Sequence, residues 1–340
     1  MSVKEQIKEL WRICFDEDEA FIDMYFNLRY ADDANLFIQQ DDKVISALQL
    51  IPYPMTFCGT NIPTSYISGA CTHPDYRRKG VMHELLSQAF ARMYSDGVFI
   101  STLIPEKPPL VDYYARMDYT PVFRYSKQTL QLTEIPETGK NIRIGQTTEV
   151  SKDVYHYVRR KMSEHPCCIQ HTEADFKVIQ ADLSLSKGYV FFAAGKEEKI
   201  EGVAFAVARE GALYINELLS DSAETASELL KQAAITCKCN RIEISGLPAE
   251  ASGRFPLGMA RIIHAKEVLT LFAATHPEVE MNIELHDTAL CANNGYYCLR
   301  NGKCTVSKDK RTGIPFRWSA GELTEKILGE MHPYMSLMIN

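Results

Sequence analysis

HPDYRRKGVMHELLSQAFARM, residues 73–93, sets three cations, Arg77, Arg78 and Lys79, directly before Gly80 and a stretch of helical apolar spacing. Like charges repel one another, and a glycine inside a helix costs about 1 kcal/mol. Together they fit a sharp bend at a helix start with something anionic seated in it. The first four backbone N–H groups of such a helix have no internal partner, and its aligned peptide dipoles place about half a positive charge there. Gly80 lacks a Cβ, so a ligand can approach the backbone, and the cations add charge around it. A pyrophosphate is the natural guest. A solvated basic loop is the plain alternative, and the order of the flanking elements decides between them.

Upstream, residues 4–14 read as a helix, with Ile7, Leu10, Trp11 and Cys14 on one face, and a second helix spans 18–30 behind Asp16. A hairpin follows (LFIQQ, then VISALQLIPYPMTF after Asp41-Asp42), and Gly59-Thr60-Asn61 turns into the strand TSYISGACTH. Downstream come the short strand VFISTLI, a helix at VDYYARM and the strand YTPVFRYSKQTLQL. The charged stretch TEIPETGKN (133–141) reads as a linker. Beyond it the order of elements repeats without repeating residue identity: helices near 151–163 and 172–184, three strands, the helix SAETASELLKQAA and the strand RIEISGL. GLPAEASGRFP (246–256) marks a second boundary. The remainder holds a helix at HAKEVLTLFAA, strands at MNIELH, YYCLRNG and KCTVSK, and a helix at AGELTEKILGEM. The expectation is a mixed-sheet α+β protein of three parts, 1–133, 141–250 and 256–340.

Composition narrows the function. A net charge of −7 over 340 residues weighs against nucleic acid as the main ligand. No apolar run approaches the roughly 18 residues that span a membrane, and the charged N-terminus lacks an apolar signal core. A cytoplasmic protein without membrane partners is expected. None of the ten cysteines forms a CxxC pair. HPCCIQH (165–171) lacks metal-ligand spacing, so buried thiols and no metal are expected. Asp16, Glu17, Asp18, Glu19, Asp23, Asp32 and Asp33 read first as acids favoured at helix starts; lining a cleft for a cation is the alternative.

Arg77-Arg78-Lys79-Gly80-Val81-Met82 resembles the acyl-CoA-binding motif of the GNAT acetyltransferases, Arg/Gln-x-x-Gly-x-Gly/Ala, with Met82 in place of the final small residue. The order of elements in residues 1–132 fits the same fold. The resemblance implies acetyl-CoA as cofactor, its pyrophosphate held by residues 77–82, with Met82 narrowing the room there. It implies that the preceding strand offers backbone groups of Ala70 and Thr72 to the pantetheine. In VDYYARMDYTP (111–121) it implies that Tyr114 returns a proton to the departing thiolate, with Tyr113 the alternative and Asp118 standing where glycine is usual.

The full layout resembles the Eis-like (enhanced intracellular survival) acetyltransferases: tandem GNAT folds, the second degenerate, and a sterol-carrier-like last domain. The second unit has no Arg-x-x-Gly turn and is expected to bind no coenzyme A. The resemblance implies a small cationic amine acceptor, such as an aminoglycoside or polyamine, and a homo-oligomer. It also implies a chain end, PYMSLMIN (333–340), that reaches back so that the Asn340 carboxylate takes the proton of the ammonium. A non-catalytic acyl-CoA sensor and an enzyme acylating a peptide amine stay open as alternatives.

Overall fold

The computed structural model describes residues 1–138, 142–149, 151–195, 198–246, 255–309 and 314–339. Helices α1 (Val3–Cys14) and α2 (Glu19–Leu28) open the chain. A capping box starts α1: the Ser2 hydroxyl accepts from Glu5 N and the Glu5 carboxylate from Ser2 N. The apolar faces of both helices, Ile7, Leu10 and Trp11 with Ile22, Tyr25 and Phe26, are buried in one cluster. Then follow β1 (Asn35–Gln40), β2 (Lys43–Phe57), β3 (Thr60–Thr72), α3 (Val81–Ser95), β4 (Ile100–Leu103), α4 (Pro108–Ala115) and β5 (Thr120–Gln131). This is the order expected of the first unit.

The second unit comprises β6 (Arg143–Thr147), α5 (Lys152–Ser163), β7 (Cys168–Ile169), α6 (Glu173–Leu185), β8 (Tyr189–Ala194), β9 (Ile200–Arg209), β10 (Ala212–Ser220), α7 (Ala223–Cys237) and β11 (Arg241–Gly246). In it β10 runs parallel to β11 across the helix α7, as β3 runs parallel to β4 across α3. The repeated order therefore reflects a repeated topology. Cys167 and Cys168 are buried, and β7 pairs with β2 of the first unit at Met55–Ile169 and Thr56–Cys168. No three His, Cys, Asp or Glu side chains among the described residues converge on a metal position. No described helix is long and apolar enough to cross a membrane.

The last part begins with β12 (Phe255–Ile262), followed by α8 (Ala265–Thr275), β13 (Met281–His286), β14 (Gly295–Arg300), β15 (Lys303–Ser307), β16 (Phe316–Ser319) and α9 (Ala320–Leu328). β12 overlaps the end of the boundary read at 246–256 and is not among the strands expected from the sequence; Pro256 and Gly258 are poor strand formers. It lies inside the first unit's sheet, antiparallel to β4 on one side (Met259–Leu103 to Ile262–Ile100) and to β5 on the other. Both breakers sit at register shifts against β5, where a bulge tolerates them. β5 in turn pairs with β11, so the large sheet runs β1-β2-β3-β4-β12-β5-β11-β10-β9-β8-β6 through both units. The remaining strands form a separate sheet in the order β15-β14-β13-β16.

One apolar cluster joins Tyr53, Tyr66 and Ile100 of the first unit to Ile262, Leu269, Leu285 and Leu323 of the last. A fully buried ion pair lies on the same junction. Arg261 Nη2 donates to Asp287 at 2.6 Å, Nε to the Met117 carbonyl and Nη1 to the Ile262 carbonyl, over the Phe90 ring. Asp287 also accepts from Ala289 N, Leu290 N and Asn293 Nδ2. Removing one partner strands the other charge without water. Asp287→Ala should therefore lower unfolding stability by about 3–5 kcal/mol. Urea unfolding of the intact chain measures it.

Candidate active site

β3 and β4 pair only over Thr64–Ile100, Ser65–Ser101 and Tyr66–Thr102. Beyond Tyr66 they diverge, while β3 stays paired to β2 on its other edge. The divergence opens a cleft of about 340 Å³ lined by Tyr66 to Ala70 on β3, Leu103 to Glu106 at and after the end of β4, Trp11 of α1, Phe15 and Glu17 between α1 and α2, and Tyr114 from α4. A bulge sharpens the opening: Ala47 pairs with Cys71 but Gln49 with Ser68, so β3 carries an extra residue. That bulge holds Gly69 at φ +60°, and a Cβ there would stand 2.1 Å from the Trp11 ring. The indole lies on bare backbone and forms one wall of the cleft.

β3 leads straight to the cationic turn. Pro74–Tyr76 makes a single 3-10 turn, Arg78 adopts φ +62°, and Gly80, at φ +81°, precedes α3 with no side-chain cap. The first internal bond of α3 is Glu84 N to the Gly80 carbonyl, so the N–H groups of Val81, Met82 and His83 face outward. The space beside the Gly80 Cα is open. The cations divide their work. Arg77 Nε donates to the Thr72 carbonyl at 3.0 Å and fastens the turn to the strand. Arg78 and Lys79 are exposed, with Lys79 Nζ over the Tyr76 ring.

The Met82 side chain packs against the cluster of Leu85, Leu86 and Phe90. The carbonyl of Thr72 is already occupied by Arg77 and by the Cys14 thiol, leaving Ala70 as the better placed of the two strand residues. Asp118, at φ +61°, occupies the conformation that favours glycine. Its carboxylate accepts from Gly321 N in the first turn of α9, where a helix start favours an anion. The tie to the last domain accounts for the missing glycine.

Tyr114 is buried on the cleft wall, its ring edge-on to Tyr119, while Tyr113 is half-buried beside it. Burial, then Tyr113, Cys71 and Glu106, push the Tyr114 phenol well above its usual value, so it keeps its proton throughout the physiological range. Glu17 lines both this cleft and a neighbouring pocket that includes Asp182, Arg209, Met338 and Ile339. Burial, then the charges of Glu106, Asp18, Asp182 and Asp16, raise the Glu17 carboxyl. Burial raises Asp182 as well. Glu17 sits before α2 and faces the cleft, which goes beyond the helix-start role read from its position. Glu106 and Asp182 carry no sequence signal, since only the fold brings them near Glu17.

The chain end runs along the same region. Tyr334 to Ile339 line a pocket that shares Ile104 with the β3–β4 cleft and Asp182 with the acidic one. Asn340 lies outside the described residues.

Residues 2–122 match the family of the acetyltransferase (GNAT) domain. Residues 2–122 thus form a GNAT acetyltransferase domain. Comparison with curated proteins gives no sequence match. In structure the whole chain is similar to a GCN5-related N-acetyltransferase from Kribbella flavida (15% identity, 99% of this chain and 95% of the other, TM-score 0.76). It is also similar to Eis1 from Mycobacterium abscessus (13% identity, 96% and 86%, TM-score 0.75). A third likeness is to a probable N-acyltransferase from Enterococcus faecalis (16%, 95% and 86%, TM-score 0.75). The fold is shared along nearly the full length at identities this low.

The Gly69 contact yields a direct test. Gly69→Ala meets both a left-handed backbone and the buried indole, and should destabilise the protein by about 2 kcal/mol or more. A lowered melting temperature, with α-helical content retained below it, is the expected result.

Proposed function

We propose that the protein is an acetyl-CoA-dependent N-acetyltransferase that moves an acetyl group directly to a primary amine of a small cationic acceptor, aminoglycoside- or polyamine-like. The observation that carries the reading is the divergence of β3 from β4, with the Gly80 turn following β3 and Tyr114 on the cleft wall. Backbone N–H groups at 81–83, with Arg78 and Lys79 around them, suit a pyrophosphate. The free edge of β3 at Ala70 suits an amide-bearing pantetheine arm, and that arm would deliver the thioester beside Tyr114. The cofactor supplies the activated acyl group.

The chain's own groups then divide the chemistry. A neutral amine attacks the thioester carbon, and the carbon–sulfur bond breaks. A β3 backbone N–H near the bulge stabilises the oxyanion. Tyr114 hydrogen-bonds the leaving sulfur and provides its proton. Glu17, Glu106 and Asp182 attract the ammonium form, which supports a cationic acceptor over a neutral peptide amine. We propose the Asn340 carboxylate as the group that takes the ammonium proton, supported by the course of Met338 and Ile339 along the acidic pocket. We also take residues 256–340 as the sterol-carrier-like domain that the resemblance implies.

Thiol release from acetyl-CoA over a panel of amines tests the activity, and binding of acetyl-CoA without turnover of any amine would favour the sensor reading instead. Tyr114→Phe should lower kcat about a hundredfold with the acetyl-CoA KM unchanged. Extending the chain beyond Asn340 by a few residues should lower turnover if that carboxylate is the base. For pH, the sign follows from the raised carboxyls. As pH falls through their elevated values the cleft loses negative charge, so kcat/KM for the amine declines earlier than ordinary carboxylates would dictate. Glu17→Gln should raise the amine KM about tenfold and move that acid limb to lower pH.

A further inference from the structure

The second unit lacks the cationic turn, yet it makes several polar contacts with the chain end. Ile169 N donates to the Tyr334 carbonyl at 3.0 Å, and Tyr334 N to the Cys167 carbonyl at 2.9 Å, so the tail adds to β7 like one more strand residue. The buried Tyr334 hydroxyl donates to Glu217 Oε2 at 2.6 Å. His171 Nε2 lies 2.9 Å from the Ser336 carbonyl. On the other side Met335 rests on Gly258 of β12, where a Cβ would stand 2.8 Å from its sulfur. Leu337 is held at φ +53°, a conformation that a leucine adopts only when its surroundings impose it.

Glu217 owes its position to a bulge in β10. Ile215 pairs with Ala206 but Glu217 with Phe205, so Asn216 is the extra residue. Leu213 and Ile215 face the cluster around α7, and without the bulge Glu217 would face it too. With it, Leu219, Phe205 and Val203 face the cluster that contains Tyr334 and Ile339, and Glu217 turns to the same side. A buried carboxyl has been aimed at the tail. Burial raises its pKa, and the bond from the Tyr334 hydroxyl acts the other way, as a buried polar group needs a partner.

We infer that the second, turn-less unit works as a clamp for the chain end, with Glu217 and His171 as positioning residues that hold Tyr334 to Ile339 against the cleft of the first unit. This rests on the proposed acetyl transfer for its effect on turnover, but the clamp itself is a structural claim that can be read without activity.

The test uses the full chain as Tyr334→Phe, Glu217→Met and Glu217→Gln. Hydrogen–deuterium exchange follows peptides covering 330–340, and steady-state kinetics follow acetyl-CoA and the best amine separately. Tyr334→Phe and Glu217→Met should speed exchange in the tail about tenfold and leave α3 and β3 unchanged. They should raise the amine KM with little change in the acetyl-CoA KM, and Glu217→Gln, which can still hydrogen-bond, should restore both. Unchanged tail exchange in Tyr334→Phe and Glu217→Met overturns the clamp. So does faster exchange spread across the whole chain with both KM values disturbed, since Glu217 would then be merely structural. Faster tail exchange with unaltered kinetics supports the clamp and removes the tail from the proposed transfer reaction.

Discussion

β3 and β4 share three residue pairs and then part, and the rest of the site depends on that separation. A sheet strand that loses its neighbour exposes unpaired backbone groups, which are costly unless something satisfies them. Here the parting is enforced from both sides. The bulge at Ser68–Cys71 bends β3, and Trp11 occupies the side-chain space that Gly69 leaves empty. β4 cannot follow, because β12 is paired along its other edge. The cleft is thus a consequence of two strands each held elsewhere, and the cationic turn and Tyr114 acquire meaning only at its borders.

The insertion of β12 also joins the three parts through one sheet. A strand from the last part lies between two strands of the first, and β5 carries the sheet onward into the second through β11. Arg261 and Asp287, buried at this junction, satisfy each other and five neighbouring backbone or amide groups. Such a network adds specificity to the packing, because any slipped arrangement would leave a charge dry and unpaired. The same continuity lets the second unit, which has no phosphate turn of its own, reach the cleft through the chain end.

Much of the first unit was legible. Its helices carry apolar residues at helical spacing, its hairpin turns fall at Asp41-Asp42 and Gly59, and Arg77 to Gly80 mark the helix start that the structure places after β3. Other readings failed for identifiable reasons. The stretch 246–256 reads as a boundary, yet its last two residues open β12, whose bulges exist only against β5. Glu17 resembles a helix-start acid because the cleft that it faces is built by residues some fifty and ninety positions away.

From the sequence alone came what acts over a few residues: propensity, apolar period, capping, turn chemistry and the cationic motif with the family resemblance it carries. These fix where elements begin and end, since hydrogen bonds and side-chain contacts within one helix or hairpin are local. The tertiary structure decided which strands became neighbours, which carboxylates met, and which face Glu217 presents. Those outcomes hinge on single-residue shifts in strand register, and a register is chosen by the summed packing of the whole sheet rather than by any short stretch of chain.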